Sequence, residues 1–155
     1  MRELASVIWT EARAVGDAAM SAVGWTVRNR MSRNSVRQVD EAWRGYTHDG
    51  RPSGSDLAHA EAIARSILAG TTPDLTNGST HFYSPQAMPT TKDKELKGVD
   101  VGGGLESVPG VKDAEGRPIE NYRPVWTRTF TAEPVKDVPE AAFKFYRPRN
   151  NSPVR

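Results

Sequence analysis

The sequence predicts an α+β domain, with a helical bundle in its first half and a small antiparallel strand region in its second. Apolar residues recur at three- and four-residue spacing as far as Ala69, as on one face of a helix. Beyond that point they alternate with polar residues in short blocks, Thr80–Tyr83 and Ala142–Arg147, as in half-buried strands. Clusters of Gly, Pro, Asn and Asp separate these blocks. The chain has 155 residues, 37% of them hydrophobic, and suits one domain. A domain of this size buries on the order of 70% of its unfolded surface and needs no covalent staple. Cys is absent, which excludes a disulfide framework and thiolate metal sites.

The first helix is expected over Arg2–Ala14, breaking at Val15-Gly16-Asp17. Leu4, Val7, Ile8 and Glu11 fall on one of its faces, so Glu11 continues a core-facing stripe and should be partly buried. It also lies in the last turn, where the free carbonyls disfavour a second negative charge. Both effects favour the neutral acid, the form a proton donor requires. Asp17 is the expected N-cap of a second helix, about Ala18–Ser32, whose stripe of Ala19, Ala22, Val23, Val27 and Met31 permits close approach. Asn29 and Arg30, near its end, either tie down the helix terminus, the favoured reading, or reach the cleft.

From Asn34 to Asp56 the periodicity weakens, apart from a short helical pattern over Val36–Trp43, and the segment reads as one wall of a cleft. Trp43 and Tyr46 carry broad amphipathic rings that either stack on a sugar face or pack the fold. A third helix is expected over Asp56–Ala69, capped by Ser55 or Asp56. Its stripe is Leu57, Ala60, Ile63, Ala64, Ile67 and Leu68, its closing residue is Gly70, and His59 and Glu61 face water. Thr72–Gly78 is a turn cluster.

In the block Thr80-His81-Phe82-Tyr83, Thr80 and Phe82 share one strand face and His81 and Tyr83 the other, so one pair packs inward while the other presents hydrogen bonds. His81 is either a structural imidazole or a substrate contact. Residues from about 86 to 121 form a long insert rich in Lys, Asp, Gly and Pro, containing a solvated charge run at Lys92–Lys97, a flexible Gly102–Gly104 and a possible hairpin over Val111–Ile119. A lid or specificity element beside the cleft is the expected role. Pro124–Phe130 and Ala142–Arg147 read as strands able to pair, and 148–155 as a basic mobile tail.

The blocks Val7-Ile8-Trp9-Thr10-Glu11-Ala12-Arg13, Ala18–Val23 with Val27–Met31, Gly78–Pro85, Pro124-Val125-Trp126 and Phe143–Arg147 together resemble, in order, the SleB-like cell wall hydrolases, a family that includes spore-cortex-lytic enzymes. The segment Asn34–Asp56 lacks the family's Gln-Phe block, and the 86–121 insert departs from its short connection. The resemblance implies one lysozyme-like domain over 1–147 that cleaves the β-1,4 bond between N-acetylmuramic acid and N-acetylglucosamine in peptidoglycan. It implies Glu11 as the catalytic acid, facing a groove lined by the Thr80–Tyr83 block. Thr80, His81, Tyr83, Trp126 and Tyr46 are the expected substrate contacts. No cofactor or metal is expected, and the expected partner is the glycan strand, met by a monomer.

Two chemistries fit. A hydrolytic muramidase pairs Glu11 with a second carboxylate that activates water. A lytic transglycosylase needs only one acid, because the sugar's own O6 hydroxyl is the nucleophile. Asp17, Asp40, Glu41, Asp49 and Asp56 are available, but none stands in a block that marks it as the partner, which favours the transglycosylase. A zinc amidase or peptidase is disfavoured because His48, His59 and His81 lack ligand spacing. A virion or nucleic-acid-binding domain on the same scaffold is permitted by a net charge of +2 and a pI near 9.0, though no nucleic-acid motif accompanies them. No apolar run reaches a membrane span and no secretory leader precedes the first helix, so a phage-encoded endolysin, a virion-carried enzyme or a secreted effector acting at the cell wall or periplasm is the expected setting.

Overall fold

The computed structural model describes residues 1–35, 52–89, 104–112, 115–116 and 118–149. The fold is α+β: three packed helices followed by small antiparallel sheets. The helices are α1 (Arg2–Ala12), α2 (Asp17–Arg33) and α3 (Gly54–Ala69). Leu4, Val7, Ile8, Val23, Val27, Ala64 and Ile67 are fully buried where the helices meet. Gly24 marks the closest approach, since a Cβ there would lie 2.5 Å from Ile67 Cδ1 and 3.2 Å from Ile8 Cγ2. The missing side chain lets α1 and α3 both seat against α2.

The helix ends differ from expectation for local reasons. Gly16, at φ 121° and ψ −176°, takes the N-cap of α2 in a conformation open essentially to glycine alone. Asp17 therefore becomes the first helical residue and makes no capping bond; its carboxylate meets His59 Nε2 at 2.7 Å instead. At α3 the cap is Ser53 rather than Ser55 or Asp56, with no side-chain bond, and the helix begins two residues early. Gly70 closes α3 in the left-handed conformation, as expected, with Thr71 N donating to Ser66 O at 3.0 Å. On the outer face of α3, His59 is exposed, as expected, and its Nε2 meets the Asp17 carboxylate. Glu61, 3.8 Å from Arg2 Nε, is largely covered, and Leu68 at the edge of the stripe is exposed.

Strands β1 (His81–Tyr83), β4 (Phe130–Glu133) and β5 (Lys144–Pro148) form an antiparallel sheet in the order β1-β5-β4. His81 pairs with Tyr146, Phe82 with Phe145, and Ala132 with Tyr146 from the other side. Because alternate residues face opposite ways, Phe82 and Phe145 turn into the helical core with Phe143, while His81, Tyr83 and Tyr146 point away from it. Helices and sheet thus share one continuous core.

A second sheet is the hairpin of β2 (Leu105–Lys112) and β3 (Pro118–Pro124), which begins within the insert, ends just past it and has the expected Gly116 between its strands. The expected strand Pro124–Phe130 is corrected: Val125–Thr129 is a 3-10 turn, and only Phe130 onward joins the sheet, where β4 pairs with β5. Thr127 Oγ1 donates to Pro124 O at 2.8 Å and Thr129 Oγ1 to Trp126 O at 3.1 Å. These local bonds give the backbone an alternative to a ladder. No described helix is long and apolar enough to cross a membrane.

Candidate functional site: a buried acid and an aromatic sheet face

Glu11 stands in the last turn of α1, on the stripe of Leu4, Val7 and Ile8, and is half-buried. Burial raises its pKa above the ordinary 4.5. Among the described residues no cation or hydrogen-bond donor offsets that effect. Arg13, two residues on, turns its Nη1 to Trp9 O and Thr10 O, each at 3.3 Å, and lies 5.5 Å from the centre of the Trp9 ring. Its charge therefore serves the carbonyl end of the helix rather than Glu11. The Thr10 hydroxyl next to Glu11 in the chain is buried with no hydrogen-bond partner among the described residues, a feature that no pattern in the sequence announced.

The outward face of the first sheet is aromatic. The His81 ring lies 5.1 Å from Trp126 and 4.5 Å from Phe130, centre to centre. Tyr83 stacks on Tyr146 at 5.9 Å, and Trp126 meets Tyr146 edge-on at 5.2 Å. The 3-10 turn of residues 125–129 is what swings Trp126 over this face. Burial, and after it the charge of Arg30, pushes the His81 pKa down from 6.5 to about 3, so the imidazole is neutral. Its Nδ1 is 2.9 Å from Thr80 Oγ1, which fixes the ring orientation and leaves Nε2 as the second hydrogen-bonding position.

Side chains from the end of α2 and the turn before β1 hold this strand in place. Arg30, itself buried, donates from Nε to Thr80 O at 3.1 Å. Asn29 Nδ2 donates to Asp74 Oδ2 at 2.9 Å and to Ser79 O at 3.0 Å. Asp74 also accepts from Thr76 N at 2.8 Å, Thr76 Oγ1 at 2.6 Å and Gly78 N at 3.0 Å. Asn29 and Arg30 thus tie α2 to the strand rather than to its own terminus, which makes them positioning residues for His81.

The hairpin borders the aromatic face with charge. Glu106 on β2 accepts from Arg123 Nε on β3 at 2.6 Å and from Arg128 Nε at 2.6 Å. Those two bonds, that of Arg128 first, hold the carboxyl below its usual range. Arg123 in turn lies near the phenols of Tyr146 and Tyr83.

Of the expected site residues, the structure brings His81, Tyr83 and Trp126 together. Thr80 is fully buried behind them, its hydroxyl meeting His81 Nδ1 and its backbone N donating to Tyr146 O at 3.0 Å. Glu11 shares no hydrogen bond or ion pair with this group among the described residues. Tyr46 lies outside the described residues, as do Trp43, the Val36–Trp43 pattern, His48, the Lys92–Lys97 run and residues 150–155. Phe130, Tyr146 and Arg123 belong to the face although nothing in the sequence singled them out; alternation along Phe143–Arg147 was the one signal pointing to Tyr146. Among the described residues, no group of three or more His, Cys, Asp or Glu side chains is placed to hold a metal. No family model, curated protein or solved structure matches the chain.

Proposed function

We propose that the chain is a peptidoglycan-cleaving glycosidase, a lytic transglycosylase acting on the β-1,4 bond between N-acetylmuramic acid and N-acetylglucosamine, with Glu11 as acid and then base. The observation that carries this reading is the Glu11 carboxyl, half-buried at a helix end with its pKa raised and no described cation beside it. The motif resemblance to the SleB-like cell wall hydrolases, whose first block contains that residue, supports it.

Protonated Glu11 gives its proton to the glycosidic oxygen as the C1–O bond of the muramic acid breaks and positive charge builds on the ring. The resulting carboxylate takes the proton of the O6 hydroxyl, and O6 closes on C1 to form the 1,6-anhydro ring. Atoms balance without water. Trp126 and neutral His81, both partly exposed, supply a surface on which a sugar face stacks and an imidazole nitrogen that bonds a hydroxyl, while the buried Tyr83 packs edge-on against Trp126.

The engagements of the other carboxylates support the one-acid route over hydrolysis. Asp17 pairs with His59, Asp74 is consumed by its own turn, Glu133 bonds Arg147 at 2.8 Å, and Asp56 is exposed. Asp40, Glu41 and Asp49 lie outside the described residues. The cell wall is the proposed place of action. Release of dye from labelled sacculi tests the reading: the protein should solubilise them and Glu11→Gln should not. Equal release by both would remove Glu11 from the chemistry.

A further inference from the structure

Beside the aromatic face is a cleft of about 530 Å³ whose rim carries three arginines, Arg123, Arg128 and Arg149, and whose floor includes Phe130, Thr131 and Tyr146. That volume is in the range of a small-ligand site. Among the described residues Glu106 is the carboxylate paired with these arginines, and its one charge is shared between Arg123 and Arg128. The contacts with Glu106 take Nε of Arg123 and both Nε and Nη2 of Arg128, and a guanidinium has five donors, so each keeps donors for a ligand while being held in orientation. Arg128 and Arg149 are exposed at the mouth.

We propose that this cleft binds carboxylates of the peptide stem that projects from muramic acid. The proposal rests on the glycosidase reading for the identity of the anion. The cleft shares Tyr146 and Phe130 with the aromatic face, so a glycan stacked against His81 and Trp126 places its stem at the arginines. Planar guanidiniums pair with carboxylates two bonds at a time, which suits a short chain bearing several of them. Three cations gathered around one short cleft fit a stem better than a long polyanion, which needs an extended track of charge.

The test is calorimetric titration of the full chain with the free stem tetrapeptide and with the same peptide after its carboxylates are amidated. Binding of the free peptide, roughly 10-fold weaker for Arg128→Gln and weakened also by Arg149→Gln, with none for the amidated peptide, is expected. Equal binding by wild type and both variants, equal binding of the amidated peptide, or no binding at millimolar peptide would overturn it. So would displacement of the peptide by equimolar inorganic phosphate or oligonucleotide, which would reassign the cleft to a phosphate ligand. Cleavage of stem-free glycan by the same preparation separates the two readings. Cleavage without peptide binding ends this proposal and leaves the glycosidase, whereas peptide binding without cleavage of any glycan keeps the carboxylate site and ends the glycosidase.

Discussion

Lowering the pH from about 7.5 to about 5 should cost the fold about 2 kcal/mol through His81 alone. The imidazole titrates at 6.5 when unfolded and at about 3 when folded, since burial and then Arg30 disfavour its charge. A depressed pKa gives stability that is complete above the unfolded value and is lost as the pH falls towards the folded one. At pH 5 the unfolded chain has taken up the proton and the native chain has not. The cost is therefore set by the roughly 1.5 units between 6.5 and 5, at about 1.4 kcal/mol each. Urea unfolding at several pH values, for the wild type and for His81→Gln, isolates this contribution, because other titrating groups cancel in the difference. For a slope of about 2 kcal/mol/M, the wild-type midpoint should fall by about 1 M more than that of the variant. Parallel profiles, or a His81 ring that titrates above pH 6 by NMR, would refute the burial argument. Arg30→Met should raise the His81 pKa, since it removes the opposing cation.

Glu11→Gln should lower the rate of glycan release by at least about 100-fold, the lower end of what a general acid supplies. Its thermal midpoint at neutral pH should equal or exceed that of the wild type. A carboxyl whose folded pKa is raised is favourable below 4.5 and becomes a burden as the pH rises through the folded value. Asp74→Ala removes the acceptor of three bonds within its turn and one from Asn29, and should cost about 3 kcal/mol in urea unfolding while releasing β1 from α2. Gly24→Val should destabilise by about 2 kcal/mol or more in the same assay, because its side chain must occupy the space of Ile67 Cδ1 and Ile8 Cγ2.

The α+β class and the three helices were legible because periodicity is a local signal: Leu4, Val7, Ile8 and Glu11 can share only one helical face. Alternation in the Thr80–Tyr83 block likewise separated Phe82, which enters the core, from His81 and Tyr83, which build the aromatic face. What stayed hidden depends on partners distant in the chain or on local competition. Arg30 looks like a helix-terminal cation until the fold places Thr80 O beside it, and Asp74 looks like one more turn residue until its four bonds are seen. The 3-10 turn at Val125–Thr129 arises from hydroxyl bonds that strand propensity does not register. Asp17 lost its capping role because Gly16 could adopt a backbone closed to other residues. The charged border of Glu106, Arg123 and Arg128 joins positions 106 and 123 across a hairpin whose register the sequence left open.

The most direct test of the central claim is mass spectrometry of the soluble fragments left after incubating peptidoglycan sacculi with the protein and with Glu11→Gln. Fragments ending in 1,6-anhydro-muramic acid, formed by the wild type and absent with the variant, are the predicted result. Reducing muramic acid ends, or glycan cleavage that persists in the variant, would contradict it.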